Sequence, residues 1–256
     1  SHILAVSGMH VAYIITIVDY LLSTLKIGKK QTKVITIFFL MFFMALANGT
    51  PSVRRACIMA GIGIGANLIY QKSDIINNMV ISALVILVPN PFAIWNTGFI
   101  LSYSATLGIV LLTPIFLTKE ETVEKNKWKK IWTQKIKSVF VVSISSWIAI
   151  FPISMLLFRT ISFTFIFSNL MVSAIIGTII MLGMVASIPI HIPIVSDILF
   201  CLLDFLLAIL TKISQIFSSM PLSHILVCPP SIGMIMLYYG GVFWWIYQKK
   251  LNRKRI

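Results

Sequence analysis

The chain consists of nine apolar segments separated by short polar ones, and several segments approach the length of a membrane span. A helix needs about 20 predominantly apolar residues to cross the hydrocarbon core of a bilayer. Only 11% of the residues are charged, roughly half of what a soluble domain carries. A transmembrane β-barrel would alternate polar and apolar residues over short strands, and the segments do not. The sequence therefore predicts an all-α, polytopic transmembrane helix bundle. Its segments are 3–25, 34–48, 53–70, 75–89, 92–113, 138–158, 163–187, 194–216 and 231–248.

Basic residues are concentrated in a few polar stretches, which predicts an orientation. Cytoplasmic loops of membrane proteins carry an excess of Lys and Arg. Nine crossings that start outside the cell put most of the 21 basic residues on the cytoplasmic side, including a basic loop at 118–137. The topology of 75–89 and 194–216 stays open. The first is short, so it is tilted, re-entrant or shielded from lipid by its neighbours. The second carries Asp197 and Asp204 on one face, so it either spans the membrane or lies in the interface as an amphipathic helix.

A polar cluster opens the first segment, in the stretch SHILAVSGMH. Ser7 and His10 lie on one helical face, but a Ser/His nucleophile also needs a third orienting group and an oxyanion hole. Asp19 lies more than about 10 Å further along the helix axis, so we expect no catalytic residue and no enzyme. Gly8 and Ala12 form a small-xxx-small pair that favours helix packing. The alternative is that Ser7 and His10 line a polar path through the membrane.

The stretch NGTPSVRRA has the pattern of a helix start. Thr50 is a favourable N-cap and Pro51 suits the first helical position. Arg54 and Arg55 then fall in the first turn, where the helix dipole is positive. Arginine binds phosphate through two hydrogen bonds and keeps its charge, so this turn is a candidate phosphate-binding site. The alternative is that both arginines reach out to lipid headgroups.

Small and polar residues recur every four positions in three of the segments. They are Cys57, Gly61 and Gly65; Gly98, Ser102 and Thr106, with Asn96 nearby; and Asn169, Ser173 and Gly177. The first set predicts close helix packing. The other two indicate either close packing or a polar wall that faces a pore. The three cysteines are widely spaced and lack metal-ligand spacing, so we expect no metal site and no cofactor.

Together these clusters resemble one family, the ComEC competence proteins, which form the inner-membrane channel for transforming DNA. The stretch HILAVSGMH is similar to the family pattern H-L-L-A-I-S-G-L-H. The pattern P-S-V-x-R-A-x-x-M is matched from Pro51 to Met59. The pattern D-P-x-x-x-x-x-x-G-F-x-L-S-x-x-A-x-x-G-I is matched from Asn90 to Ile109, with Asn90 in place of the usual Asp. A later pattern of the family, A-N-L, resembles the stretch SNL at residues 168–170 of this chain.

The resemblance implies a multi-pass channel for single-stranded DNA in the bacterial cytoplasmic membrane. Arg54 and Arg55 would receive the backbone phosphates. The pore-lining candidates are Ser7, His10, Asn96, Ser102, Thr106 and Asn169. Neutral hydrogen-bonding groups suit conduction, because a strand that is held too tightly cannot leave. The alternative is a permease for a small anionic substrate, which would predict a compact site at the membrane midplane and internal repeats.

The resemblance also implies partners and further domains. Besides DNA and membrane lipid, we expect other competence proteins, namely an external DNA receptor and a cytoplasmic helicase-like motor, because the sequence has no P-loop. Family members usually carry an OB-like domain, and many carry a metallo-β-lactamase-like domain. Residues 1–256 leave no room for either. We therefore expect a single transmembrane channel domain that belongs to a longer protein, of unknown oligomeric state.

Overall fold

The structure is a computed structural model, and it describes residues 8–47, 50–117, 127–161, 165–186, 193–219 and 225–254. Within these residues the predicted all-α architecture is confirmed, and each predicted apolar segment coincides with an α-helix. The helices are α1 (Gly8–Thr24), α2 (Lys29–Leu46), α3 (Pro51–Leu68), α4 (Ile75–Leu87), α5 (Thr97–Phe116), α6 (Lys127–Phe158), α7 (Phe165–Ala186), α8 (Pro193–Ser218) and α9 (Ile232–Lys254). Two short antiparallel strands, β1 (Thr160–Ile161) and β2 (Ile225–Leu226), also pair.

Several helix boundaries differ from the sequence prediction, among them the starts of α5 and α6. Helix α6 already begins at Lys127, so the second half of the predicted loop 118–137 is helical. This half contains neither Gly nor Pro, and its Trp and Ile residues recur at helical spacing. The predicted segment 92–113 is interrupted: a short 3₁₀ helix, Pro91–Trp95, precedes α5. Asn96 begins the new helix, because its Oδ1 accepts a hydrogen bond of 2.9 Å from the Gly98 N–H.

Two helical stretches among the described residues are long and apolar enough to cross a membrane, namely Thr97–Phe116 and Lys137–Phe158. Two shorter apolar stretches are His10–Thr24 and Ile75–Leu87. Helix α4 has 13 residues, which gives it a length of about 20 Å, less than the ~30 Å hydrocarbon core. The number of eight or nine membrane segments therefore stays a prediction.

The chain divides into two compact units. Unit 1 comprises Ser1–Ser102 and Ala174–Ile209, and unit 2 comprises Tyr103–Ser173 and Leu210–Ile256. The division falls inside α5, α7 and α8.

Unit 1 is built on α1, α2 and α3, which pack around one buried apolar cluster. Its fully buried members are Val11, Leu40, Val53 and Cys57. A hydrogen bond of 3.1 Å from Thr36 Oγ1 to Asp19 Oδ1 also joins α2 to α1. Burial of apolar area holds this cluster together in water, whereas in lipid the close packing itself must do so.

The packing glycines of unit 1 differ from those that the four-residue spacing predicted. A side chain at Gly61 or Gly65 would meet no other atom within 4 Å, so these two positions do not form a helix contact. Gly63 instead faces α4, where a Cβ would lie 3.5 Å from Asn78 Nδ2. Gly177 of α7 packs on α1, because a Cβ there would lie 3.1 Å from Cε1 of Tyr13. Gly177 thus supports close helix packing as the interpretation of the set Asn169, Ser173 and Gly177.

Unit 2 contains α5, α6 and α9, which pack around Leu112, Ile115 and Ile246. Helices α5 and α6 approach closely at Gly108. A Cβ there would overlap the Ala149 side chain and lie 2.7 Å from the Ser145 carbonyl oxygen. Glycine is therefore required at this contact.

Two tyrosines of α9 contact the backbone of α6 just before Pro152. Pro152 has no N–H, so the Ile148 carbonyl four residues earlier lacks its helical donor. The Tyr238 hydroxyl donates a hydrogen bond of 3.0 Å to this carbonyl. The Tyr239 hydroxyl donates one of 2.8 Å to the next carbonyl, that of Ala149. Helix α9 therefore supplies a donor that the backbone of α6 cannot.

Candidate functional site

Three of the sequence motifs meet in unit 1, at the N-terminal ends of α1, α3 and α5. A Cβ placed on Gly8 would lie 3.3 Å from Ala56 Cβ and 3.4 Å from Arg55 Nη2. A Cβ placed on Gly98 would lie 3.9 Å from Pro51 Cγ. The first turn of α3 therefore contacts both the first turn of α1 and the first turn of α5. We call this arrangement the motif junction.

The two arginines of the motif junction have different surroundings. Arg54 is exposed, whereas Arg55 is half-buried and its Nε is shielded from solvent. Arg55 Nη1 lies 3.9 Å from Met59 Sδ, and Arg55 Nη2 lies beside Gly8. Arg55 therefore belongs to the packing between α1 and α3, while Arg54 offers its guanidinium to the surroundings.

The backbone adds positive potential at the same place. Thr50 and Pro51 occupy the predicted N-cap and first-turn positions of α3, although the Thr50 hydroxyl makes no capping hydrogen bond. The positive end of the α3 dipole consequently lies in the same turn as Arg54. None of α1, α3 and α5 carries an acidic residue in its first turn. The motif junction can therefore attract an anion.

The remaining site residues are spread along the helices. His10 is half-buried in the first turn of α1. Asn96 is exposed, and its side-chain oxygen caps α5. Ser102 and Thr106 are half-buried and one turn apart on α5. The assignment of these four residues to a pore stays a prediction.

Two further predictions fall where the structure says little. Ser7 lies outside the described residues, and for Asn169 only its position in α7 is described. No group of three or more His, Cys, Asp or Glu residues is placed to hold a metal ion in the part of the chain that the structure describes.

Sequence reasoning assigned each motif to its own helix and missed that the three helix ends are neighbours. A signal for this was present in the predicted topology. When successive helices cross in alternating directions, the first, third and fifth helices start on the same side. Glycine next to the end of a helix also marks a place where another backbone approaches closely.

Comparisons with known proteins bear on the family of the chain. The family model of the Competence protein family matches residues 1–252. The chain is also similar to ComE operon protein 3 of Bacillus subtilis (strain 168), with 29% identity over 115 residues. The matched region covers 45% of this chain and 15% of that relative. No solved structure matches the chain.

Proposed function

This chain belongs to the Competence protein family, and from that premise we propose that it forms a passage for single-stranded DNA across the bacterial cytoplasmic membrane during natural transformation. A passage of this kind is not an enzyme and breaks no bond in the DNA. Single-stranded DNA carries a negative charge on every nucleotide, so it needs a polar and preferably basic route through the hydrocarbon.

The observation that carries the proposal is the motif junction. It combines an exposed guanidinium, Arg54, with the N-terminal end of α3 and with no acid in the adjoining first turns. Backbone phosphates are the anion that such a site suits, because arginine pairs with phosphate oxygens through two parallel hydrogen bonds. In this proposal Arg54 receives the phosphates and Arg55 fixes the position of α3 against α1.

Beyond the junction, α5 offers the next polar groups. Ser102 and Thr106 are one helical turn apart on α5, and this helix is long and apolar enough to cross a membrane. Hydroxyl groups can bind a phosphate or a base briefly and release it, as conduction requires. We assign Ser7, His10, Asn96 and Asn169 to the same route.

A passage supplies no energy of its own, so other proteins must provide it. We propose that an external DNA receptor delivers the strand and that a cytoplasmic helicase-like motor pulls it inward. The charge distribution supports this direction, because the lysine-rich stretches that follow the first helix and end the chain lie, by the positive-inside rule, in the cytoplasm.

Single arginine variants of the intact protein in a competent host test the proposal. Arg54→Gln should lower import of labelled DNA about tenfold or more at normal protein level, since one charged hydrogen bond is worth about 1.5–3 kcal/mol. Arg54→Lys should retain part of the import, because it keeps the charge but loses the paired geometry. Arg159→Gln removes an exposed arginine at the end of α6 and is the matched control.

The result of this experiment also separates the two candidate functions. Unchanged DNA import in Arg54→Gln cells with normal protein level contradicts the proposal. Unchanged DNA import together with reduced uptake of labelled inorganic phosphate supports the alternative of a permease for a small anion.

A further inference from the structure

Two connections between helices of unit 1 lie side by side. They follow the C-terminal ends of α1 and α3, whereas the motif junction lies at the N-terminal ends of these helices. The first turn joins α1 to α2; Lys26 lies in this turn, and Lys29 and Lys30 begin α2. The second turn joins α3 to α4 and contains Tyr70 and Lys72. The Nζ atom of Lys30 lies 5.6 Å from the centroid of the Tyr70 ring, within the range of a cation–π contact. All five side chains are exposed. We call them the lysine–tyrosine face.

The backbone of both turns is strained at one residue of this face. Lys26 and Tyr70 have φ angles of 56° and 58°, in the left-handed region that favours glycine. Each closes the preceding helix in a Schellman arrangement, in which the next N–H bonds back to Leu22 O or Ala66 O. A lysine and a tyrosine therefore stand at positions where glycine would be less strained.

The face is strongly positive. The stretch 24–33 contains four lysines and no acid. Asp74 is the acidic residue of the second turn, and its carboxylate is engaged in capping α4, where it accepts hydrogen bonds from the N–H groups of Ile76 and Asn77 at 2.8 and 3.1 Å. Asp74 keeps its negative charge, but the lysines of the two stretches outnumber it five to one, so the face has a net positive charge.

The surroundings favour a lipid headgroup over a nucleic acid. The neighbouring side chains of Leu25 and Ile69 are 69% and 64% exposed, so the face borders on apolar surface that suits acyl chains. The Lys30 ammonium covers one side of the Tyr70 ring, which leaves that side closed to a stacking base. Tyrosine and lysine next to a helix end are also typical of the headgroup level of a membrane.

We propose that the lysine–tyrosine face binds the phosphate groups of anionic phospholipids, with phosphatidylglycerol as the probe. Lysine ammonium groups would pair with the phosphate, and the Tyr70 hydroxyl would donate a hydrogen bond to it. This inference does not depend on the passage of DNA.

Lipid binding by the full-length protein, purified in detergent and measured by native mass spectrometry, tests the proposal. Lys29→Gln/Lys30→Gln should weaken phosphatidylglycerol binding about 25-fold, from about fivefold for each lysine removed. Binding of phosphatidylcholine should not change. Arg159→Gln/Lys212→Gln removes two exposed positive charges elsewhere and should change phosphatidylglycerol binding less than twofold.

A second variant separates lipid binding from a structural role. Tyr70→Gly keeps every charge and relieves the left-handed backbone, so the protein without anionic lipid should be as stable as the wild type or more stable. Its rise in thermal midpoint on addition of phosphatidylglycerol should nevertheless be smaller than that of the wild type. Unchanged phosphatidylglycerol binding in the double lysine variant overturns the proposal. So does a loss of oligothymidylate binding in that variant while lipid binding persists, since the face would then serve nucleic acid.

Discussion

The substitution Tyr238→Phe removes a single hydroxyl from the contact between α9 and the turn of α6 that precedes Pro152. This hydroxyl is 3.0 Å from the Ile148 carbonyl oxygen, which lacks a helical donor because Pro152 has no N–H. The phenylalanine ring keeps the packing of the tyrosine ring, which lies against Phe151 with a centroid distance of 6.2 Å. The variant therefore isolates the hydrogen bond from the ring contact.

The expected loss of stability follows from two terms. A typical hydrogen bond contributes about 0.5–1.5 kcal/mol, and a buried acceptor left without a donor costs about 1–3 kcal/mol. Side-chain hydrogen bonds between helices in membranes average about 0.6 kcal/mol and reach about 1.7 kcal/mol. Because no backbone N–H can replace the lost donor here, we expect the upper part of the range for hydrogen bonds in membranes, about 1–1.7 kcal/mol in the free energy of unfolding.

The proline provides the internal control. In a Pro152→Ala background the residue at 152 has an N–H that can donate to the Ile148 carbonyl, so the Tyr238 hydroxyl is no longer needed. We expect Tyr238→Phe to cost less than about 0.5 kcal/mol there, which is a coupling of about 1 kcal/mol. Tyr247→Phe, at an exposed position of α9, should change stability by less than about 0.5 kcal/mol.

Reversible unfolding of the purified protein in mixed micelles measures all of these free energies. The wild type, Tyr238→Phe, Pro152→Ala and the double variant form a double-mutant cycle. Tyr247→Phe is measured beside them as the control. An equal cost of Tyr238→Phe with and without Pro152 would refute the reasoning, because the hydroxyl would then not be compensating for the missing backbone donor.

Three further predictions use the same unfolding measurement. Gly108→Ala should destabilise the protein by about 1–3 kcal/mol, because the new Cβ would lie 2.7 Å from the Ser145 carbonyl oxygen. Gly61→Ala, which meets open space, should be neutral or stabilise by up to about 1 kcal/mol; an equal loss in both variants would contradict the assignment of the packing glycines. Asn96→Ala should cost about 1 kcal/mol through loss of the α5 cap, and Asn96→Asp, which keeps an acceptor oxygen, should restore most of it.

The existence of the helices was predictable because length and apolarity are properties of each segment alone. The choice of packing glycines was not. A four-residue spacing places Gly61 and Gly65 on one face of α3, but it does not say which neighbour that face meets. The structure uses Gly63 instead, against α4. Contacts between helices depend on how the helices are arranged, and local spacing does not contain this information.

The arginine pair shows a difference that the sequence did contain. Adjacent residues of a helix point in different directions, so Arg54 and Arg55 were never equivalent. One is exposed while the other packs beside Gly8. The role of Asn96 was accessible in the same way, because asparagine just before an apolar run is typical of an N-cap.

Helix α3 connects the two basic surfaces of unit 1, with Arg54 in its first turn and Tyr70 just beyond its end. It has 18 residues and is therefore about 27 Å long, close to the ~30 Å hydrocarbon thickness of a bilayer. In the predicted topology α3 stands across the membrane, which brings Arg54 to one headgroup level and the lysine–tyrosine face to the other. Lysines on the cytoplasmic side serve orientation as well as lipid binding. In that topology the positive-inside rule disfavours an arginine at the outer end, and the proposed contact with an incoming phosphate would account for Arg54 there. Arg54→Gln should accordingly leave the orientation of the protein unchanged and lower DNA import, whereas removing Lys29 and Lys30 should weaken both lipid binding and the preference for one orientation. Labelling of single cysteines introduced on either side of α3 would measure that preference, and a change of orientation in Arg54→Gln would contradict the assignment of this arginine to the DNA route.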